Sequence, residues 1–360
     1  MVENRRLLIV LGSMGRGGAE RVISHISNYF ASKGWKVYIA LLLFNKVDYD
    51  LNPNIEVINL SGNTSSRIKR FPYWIKSLRK TVKSIKPNAI LSFAARISIV
   101  VQLSCLGIPV DITVSERNDP YMDGRSKLID ILTRFLYPKA KAVVFQTKRA
   151  EGYFDKINLT NSIIIPNPIS INCEKGDHTL KKIVTVGRLT KQKNQEMLIR
   201  AFAEVWEKYP EYSLWIYGDG ELRVELEQLV KEFRIEKNVV FGGNVEDVHS
   251  RIADAEMFVL PSNYEGLSNA LLEAMMMGLP CISTRCAGSD EYIVNKENGI
   301  LVEIDDKNEM KEAILSYIEN REFMERCGDN AKEVYQRVSK EVVLQKWYML
   351  IADCKINLNM

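Results

Sequence analysis

No apolar run in this chain approaches the roughly 20 residues that a helix needs to cross a bilayer. The apolar segment within MVENRRLLIVLGSMG reads as a first strand. It is too short for the core of a secretory signal and is followed by no small-residue cleavage site. None of the six cysteines (Cys105, Cys173, Cys281, Cys286, Cys327, Cys354) belongs to a C-x-x-C pair. Without a secretion signal they read as reduced thiols of a cytosolic protein, and the sequons at Asn63 and Asn158 carry no weight. No glycine pattern fits G-x-G-x-x-G, and no glycine-rich turn ends in the Lys-Ser/Thr of a P-loop, which argues against an NAD-dependent dehydrogenase.

Acidic residues are also absent from 65–86, SSRIKRFPYWIKSLRKTVKSIK, where eight basic residues stand. Seven of them, Arg67, Lys69, Arg70, Lys76, Arg79, Lys80 and Lys83, precede Lys86, and Phe71, Tyr73, Trp74 and Ile75 interleave with them. That combination fits an amphipathic element lying on an anionic leaflet. A solvated basic face packed on a sheet is the plainer alternative, and no nucleic-acid motif accompanies the charge. The imbalance extends further. Residues 1–175 hold 26 Lys+Arg against 13 Asp+Glu, and the remainder holds 23 against 32, within an overall net charge of +4. Two halves of opposite sign in 360 residues suggest two domains with different partners, and the basic half should prefer an anionic one.

Short apolar runs alternate with helix-like stretches throughout. Strands are expected at 7–11, 37–44, 55–60, 89–93, 112–115 and 142–146. A second set is expected at 182–186, 213–217, 239–241, 257–260, 281–284 and 300–302. Such alternation argues parallel sheets covered on both faces: an α/β protein of two Rossmann-like domains. The expected domains are 1–172 and 173–342, with the helix at 343–360 packing back on the first. Ligands on such sheets bind beyond the carboxyl ends of the strands, which points to a cleft between two facing domains.

The stretch PSNYEGLSNALLEAMMMGLP (261–280) reads as loop and then helix at about 268–277, capped by Ser268 or Asn269. Its two carboxylates, Glu265 and Glu273, flank a helix N-terminus suited to a phosphate. A diphosphate with hydroxyl-bearing groups on both sides, as in a sugar nucleotide, matches that layout; a capped core helix with a surface Glu is the alternative. Arg188 offers a fork for phosphate oxygens and Lys193 a point charge. Gly12 to Arg21 joins the first strand to a helix, with Gly17 and Gly18 allowing close backbone approach. Glu116, Arg117 and Asn118 follow a strand, where charged clusters are often functional, although an Arg–Asp pair holding the loop would look the same. Asp48-Tyr49-Asp50 has the D-x-D form of metal-dependent transferases and is read as coincidence.

Gly187-Arg188-Leu189 with Lys193-Asn194, the Gly-Asp-Gly-Glu turn at 218–221, Glu265…Glu273 and Gly17-Gly18-Ala-Glu20-Arg21 occur in order across nearly the whole chain. Together they resemble the GT-B glycosyltransferases of family 4. Within that family the chain looks like bacterial enzymes that extend lipid-linked glycans for capsules, exopolysaccharides or protein N-glycosylation. The resemblance implies a retaining, metal-independent transfer from a UDP-sugar to a polyprenyl-diphosphate-linked glycan, performed peripherally on the inner face of the cell membrane. It implies that Arg188 and Lys193 bind the donor diphosphate, Glu273 the ribose and Glu265 the donor sugar. Val245, Gly266, Leu267, Ser268 and Asn269 would line the donor, and Gly17 and Gly18 would close over the diphosphate. Many members carry a His after the strand that ends here at Ser115. This chain has Glu116-Arg117-Asn118, assigned to the acceptor or sugar side, and its three histidines, His25, His178 and His249, fall elsewhere. A UDP-sugar epimerase of related two-domain fold and a non-catalytic partner of another transferase remain the competing readings.

Overall fold

The computed structural model describes residues 5–353 apart from 16, 63–66, 158, 174–175, 177–179 and 287, and leaves out the side chains of 67–69. Cys354, His178, both sequons and the side chains of Arg67 and Lys69 therefore lie outside the described residues. The chain divides into two compact units, 1–168 with 340–360, and 169–339. The anticipated cuts at 172/173 and 342/343 each move a few residues toward the N-terminus. Ile169 is buried in the second unit's core, and its N–H donates to the Val338 carbonyl, so the two ends of that unit are laced together.

The first unit is built on β1 (Arg6–Leu11), β2 (Lys36–Leu41), β3 (Glu56–Asn59), β4 (Ala89–Phe93), β5 (Asp111–Ser115), β6 (Ala142–Phe145) and β7 (Ser162–Ile164). They form one parallel sheet ordered β3-β2-β1-β4-β5-β6-β7. Its central strands are continuous apolar runs because helices cover both faces. β7 is not foreseen by the pattern. It has three half-buried residues at the sheet's edge, too few to show a period. β2 stops at Leu41, not residue 44, because Leu43 turns aside to bond the Gly12 carbonyl and leaves Phe44 66% exposed.

The second unit holds β8 (Lys182–Val186), β9 (Ser213–Tyr217), β10 (Val239–Gly243), β11 (Met257–Leu260), β12 (Cys281–Thr284) and β13 (Ile300–Val302), all parallel and ordered β10-β9-β8-β11-β12-β13. In each sheet the winding reverses once, between β1 and β4 and between β8 and β11. A reversal sends the two neighbouring crossovers to opposite faces and opens a crevice at the strands' carboxyl ends. That places the loops after β8 and β11 at the crevice of the second unit.

The C-terminal helix Lys340–Ile351 belongs to the first unit. Val343, Leu344, Trp347 and Ile351 recur at helical spacing and sink into that core beside Val22, Ile26 and Phe30 of the helix Gly18–Ser32. Trp347 is fully buried and stacks on Phe93, ring centres 6.1 Å apart. The five described cysteines are free, and burial raises the thiol pKa of Cys105 to about 11.

Candidate functional site

After β8 the chain turns at Gly187 and Arg188, then buries Leu189 as a plug. The Leu189 N–H donates to the Asp219 carbonyl (3.1 Å), and its own carbonyl accepts from Leu222 N–H (3.1 Å). This stitches the loop after β8 to the Gly-Asp-Gly-Glu turn. Gly218 there has φ +131°, and a Cβ on it would overlap the Gly187 carbonyl oxygen, so only glycine lets the loops approach. Arg188 is left exposed, and among the described residues its guanidinium makes no hydrogen bond or ion pair.

The loops after β8 and β11 are zipped along their length. Asn263 N–H donates to the Gln192 carbonyl (2.8 Å), Asn263 Nδ2 to the Lys191 carbonyl (2.8 Å), and Gln192 Nε2 to the Tyr264 carbonyl (3.0 Å). Asn194 takes a left-handed conformation, caps the helix Gln195–Lys208 and donates to Asn263 Oδ1 (2.9 Å). The zipper brings Lys193 onto Glu265: Nζ pairs with Oε1, which also accepts from Ser262 Oγ at 2.8 Å. Glu265 is buried, and Ser262 entirely so. Ser262 was not singled out from sequence. Its partner lies only three residues on, but nothing in the spacing distinguishes it from an ordinary loop serine.

Ser268 caps the helix Asn269–Met276, accepting from Leu271 N–H. The preceding turn of Gly266 and Leu267 is packed against Gly288, where a Cβ would come within 2.9 Å of the Gly266 carbonyl oxygen. Val245, Leu267 and Ala270 pack on the core beneath. Glu273, one turn into the helix, is buried, its Oε2 3.5 Å from His249 Nε2. The other ring nitrogen of His249 meets Asn172 Oδ1. A histidine 24 positions before its carboxylate partner gives no linear signal, so only the fold reveals this chain of Asn172, His249 and Glu273. Arg188, Lys193, Glu265 and Ser268 therefore share one end of one sheet, whereas Glu273 lies deeper, beside the helix Val248–Ile252.

In the first unit, Tyr49 Oη accepts from Gly17 N–H (3.1 Å) and donates to its carbonyl (2.8 Å), so the middle residue of the D-x-D lookalike clamps the glycine turn. Asp48 pairs with Lys46. Gly17 is itself extended, at φ −173°, and the space a Cβ would occupy at Gly18 is open.

The 116–118 cluster departs from its expected form. Glu116 is buried and accepts from Arg125 Nη2 (2.5 Å) and from the Tyr137 hydroxyl. Arg117 lies 4.7 Å from the Phe93 ring centre and 5.3 Å from that of Trp347, with Nη1 donating to Asn167. Burial among these rings lowers its pKa to about 9. Of the three residues only Asn118 is exposed. The loop is instead held by Arg125 on Glu116 and Asp123, and by Arg149 on Asp119.

The basic segment forms the helix Arg67–Ile85 with Pro72 in its first turns. Leu78, Val82 and Ile85 face the core, and Trp74 packs half-buried against it, so Trp74 does not belong to the exposed face. Arg79 is likewise engaged, donating to the carbonyls of Ser104 (2.9 Å) and Leu106 (2.7 Å). Tyr73, Lys76, Lys80 and Lys83 remain outward and line one groove. No helix among the described residues is long and apolar enough to cross a membrane.

Comparisons with known proteins bear on the family and the fold. The sequence profile of "Glycosyl transferases group 1" matches residues 171–334, and that of "Glycosyltransferase Family 4" matches residues 16–172. One relative, from Campylobacter jejuni, is 26% identical over 365 residues, covering 97% of this chain and 99% of its own. It is the GalNAc-alpha-(1->4)-GalNAc-alpha-(1->3)-diNAcBac-PP-undecaprenol alpha-1,4-N-acetyl-D-galactosaminyltransferase. An uncharacterized glycosyltransferase of Haemophilus influenzae is 26% identical over 336 residues, 92% of this chain and 95% of that one. Among solved structures, Anabaena HepE in complex with UDP and glucose superposes with a TM-score of 0.82 at 18% identity, covering 97% of this chain and all of the other; this likeness concerns the fold alone. The two profiles meet at the junction between the units and together span residues 16–334. The chain is a glycosyltransferase of GT-B fold and belongs to family 4.

Proposed function

We propose that this enzyme moves a hexose or N-acetylhexosamine from a UDP-sugar to a polyprenyl-diphosphate-linked glycan, with retention at the anomeric carbon. The observation that carries the donor half is the pairing of Lys193 with Glu265, on the same loop as the exposed Arg188, whose guanidinium has no partner among the described residues, and near the Ser268-capped helix start. These are cationic donors at the crevice of a parallel sheet, where a diphosphate leaving group needs them. The acceptor half is supported by the name of the Campylobacter relative. In the proposed step the C1–O bond to the diphosphate breaks first, and the sugar passes through an oxocarbenium-like state. The acceptor hydroxyl then bonds C1 on the same face, and its proton goes to the departing phosphate oxygen. Arg188, Lys193 and the helix N-terminus meet the charge on the diphosphate, so no metal ion is assigned a role. Incubating the purified protein with a panel of UDP-sugars, with and without a polyprenyl-diphosphate-linked glycan, tests this. Acceptor-dependent release of UDP that survives EDTA supports the reading, and a UDP-linked isomer formed without acceptor replaces it with an epimerase.

His249 holds Glu273 in this scheme, and Glu273 takes the ribose hydroxyls. Replacing His249 by Ala is expected to raise the donor KM about five- to tenfold with a smaller change in kcat, as loss of a uniform binding contact does. Steady-state kinetics at saturating acceptor measure it.

The outward lysines of the helix Arg67–Ile85 supply contact with anionic lipid at the inner face of the cell membrane. K76Q/K80Q/K83Q is expected to weaken binding to anionic vesicles about 10²-fold at low salt, near 1 kcal/mol per charge, with little difference at high salt. Vesicle sedimentation over a salt series reads this directly.

A further inference from the structure

The helix Lys127–Leu136 carries one broad apolar face, only part of which the core takes, with Lys127, Asp130 and Arg134 on the other side. Thr133 and Leu136 are buried inward, with Ile129 and Leu132 partly buried. Leu128, Ile131 and Phe135, spaced three and four apart, form the outer edge of that face and are 65, 62 and 62% exposed. On the polar side, Asp130 and Arg134 are paired with each other. The apolar face is therefore wider than the core beneath it, and its outer three residues stay exposed, with the Lys139 ammonium over the Phe135 ring. The loop leading into it exposes Tyr121 and Met122 as well.

We infer that the Leu128–Ile131–Phe135 stripe is a bilayer-inserting surface, which seats the first unit in the interfacial layer of an anionic membrane. The inference rests on the membrane reading proposed above and assigns the apolar contact that the lysine groove lacks. The stripe's surroundings choose the occupant. Lys127 opens the helix, and Lys139 Nζ stands 3.5 Å from the Phe135 ring centre, so cations flank both ends. The helix packs on Ala95–Ser104, the same helix that carries the lysine-rich Arg67–Ile85. A second copy of this face would oppose like charges, whereas an anionic bilayer satisfies both the lysines and the apolar stripe.

The test uses the full chain with vesicles of roughly two parts phosphatidylcholine to one of phosphatidylglycerol, at low salt and at about 0.5 M salt. The variant I131Q/F135Q changes only exposed side chains; an unchanged melting temperature and unchanged UDP binding establish that it is folded. Wild type is expected to retain vesicle binding at high salt, and I131Q/F135Q to lose it by about tenfold or more. Equal high-salt binding by wild type and I131Q/F135Q overturns the inference. If K76Q/K80Q/K83Q alone loses binding, the stripe is overturned and the lysine groove stands. Absence of vesicle binding by wild type overturns both. A concentration-dependent dimer that I131Q/F135Q abolishes, with vesicle binding unaffected, overturns the inference in favour of self-association.

Discussion

Replacing Arg188 by Ala is expected to lower the transfer rate by about 10²–10³-fold, the usual cost of losing one charge donor aimed at developing negative charge. The loss should fall mainly on kcat, because in the proposed step the charge grows as the sugar–phosphate bond breaks and the donor's ground-state binding uses it less. The structure makes this substitution clean. The Arg188 carbonyl is held by Gln195 Nε2 (3.1 Å), and Leu189 anchors the loop, so the backbone does not depend on the guanidinium. The side chain is exposed and makes no hydrogen bond or ion pair among the described residues, so thermal stability should be unchanged. Lys at this position keeps the charge but loses the planar fork and should recover only part of the rate. Near-normal turnover by R188A in a folded enzyme removes Arg188 from the site.

The second large effect belongs to the Lys193–Glu265 pair, where stability and catalysis separate. E265Q keeps the size of the side chain and an acceptor for Ser262 Oγ, but leaves Lys193 beside a neutral group. Both side chains are mostly buried, 16 and 8% exposed, so breaking the pair costs stability, on the order of 1–3 kcal/mol once residual water at Lys193 is allowed for. Replacing both partners by apolar residues of similar volume, as in K193M/E265L, should restore part of the melting temperature, since no unpaired charge remains and only the Ser262 hydroxyl loses its acceptor. It should not restore transfer, which is expected to stay at least about 10³-fold down because two donor contacts are gone. Thermal melts and initial rates on the two variants give the answer. A double variant that regains both stability and activity makes the pair a structural strut.

Much of this enzyme is legible in the order of its residues. Apolar runs of strand length, alternating with helical periods, determine two parallel sheets, because a chain with that pattern can bury its strands only under helices on both faces. The β8 and β11 loops announce themselves too, since Gly187-Arg188 and the stretch ending in Ser268 join a strand to a helix, where orphan N–H groups collect. Ser268 as cap follows from the same local chemistry.

Tertiary structure decided what local chemistry leaves open, namely which partner each charge meets. Glu116 and Arg117 look like a site from the sequence; folded, one is spent on Arg125 and Tyr137, and the other lies between Phe93 and Trp347. Trp347 comes from the far end of the chain, so no window of sequence contains both. His249 and Glu273 meet for the same reason, through packing of two helices. The exposed stripe of Leu128, Ile131 and Phe135 is equally hidden in the sequence, where it belongs to the same apolar face as the buried Leu136. Periodicity records which residues share a face, and only packing decides which face is covered.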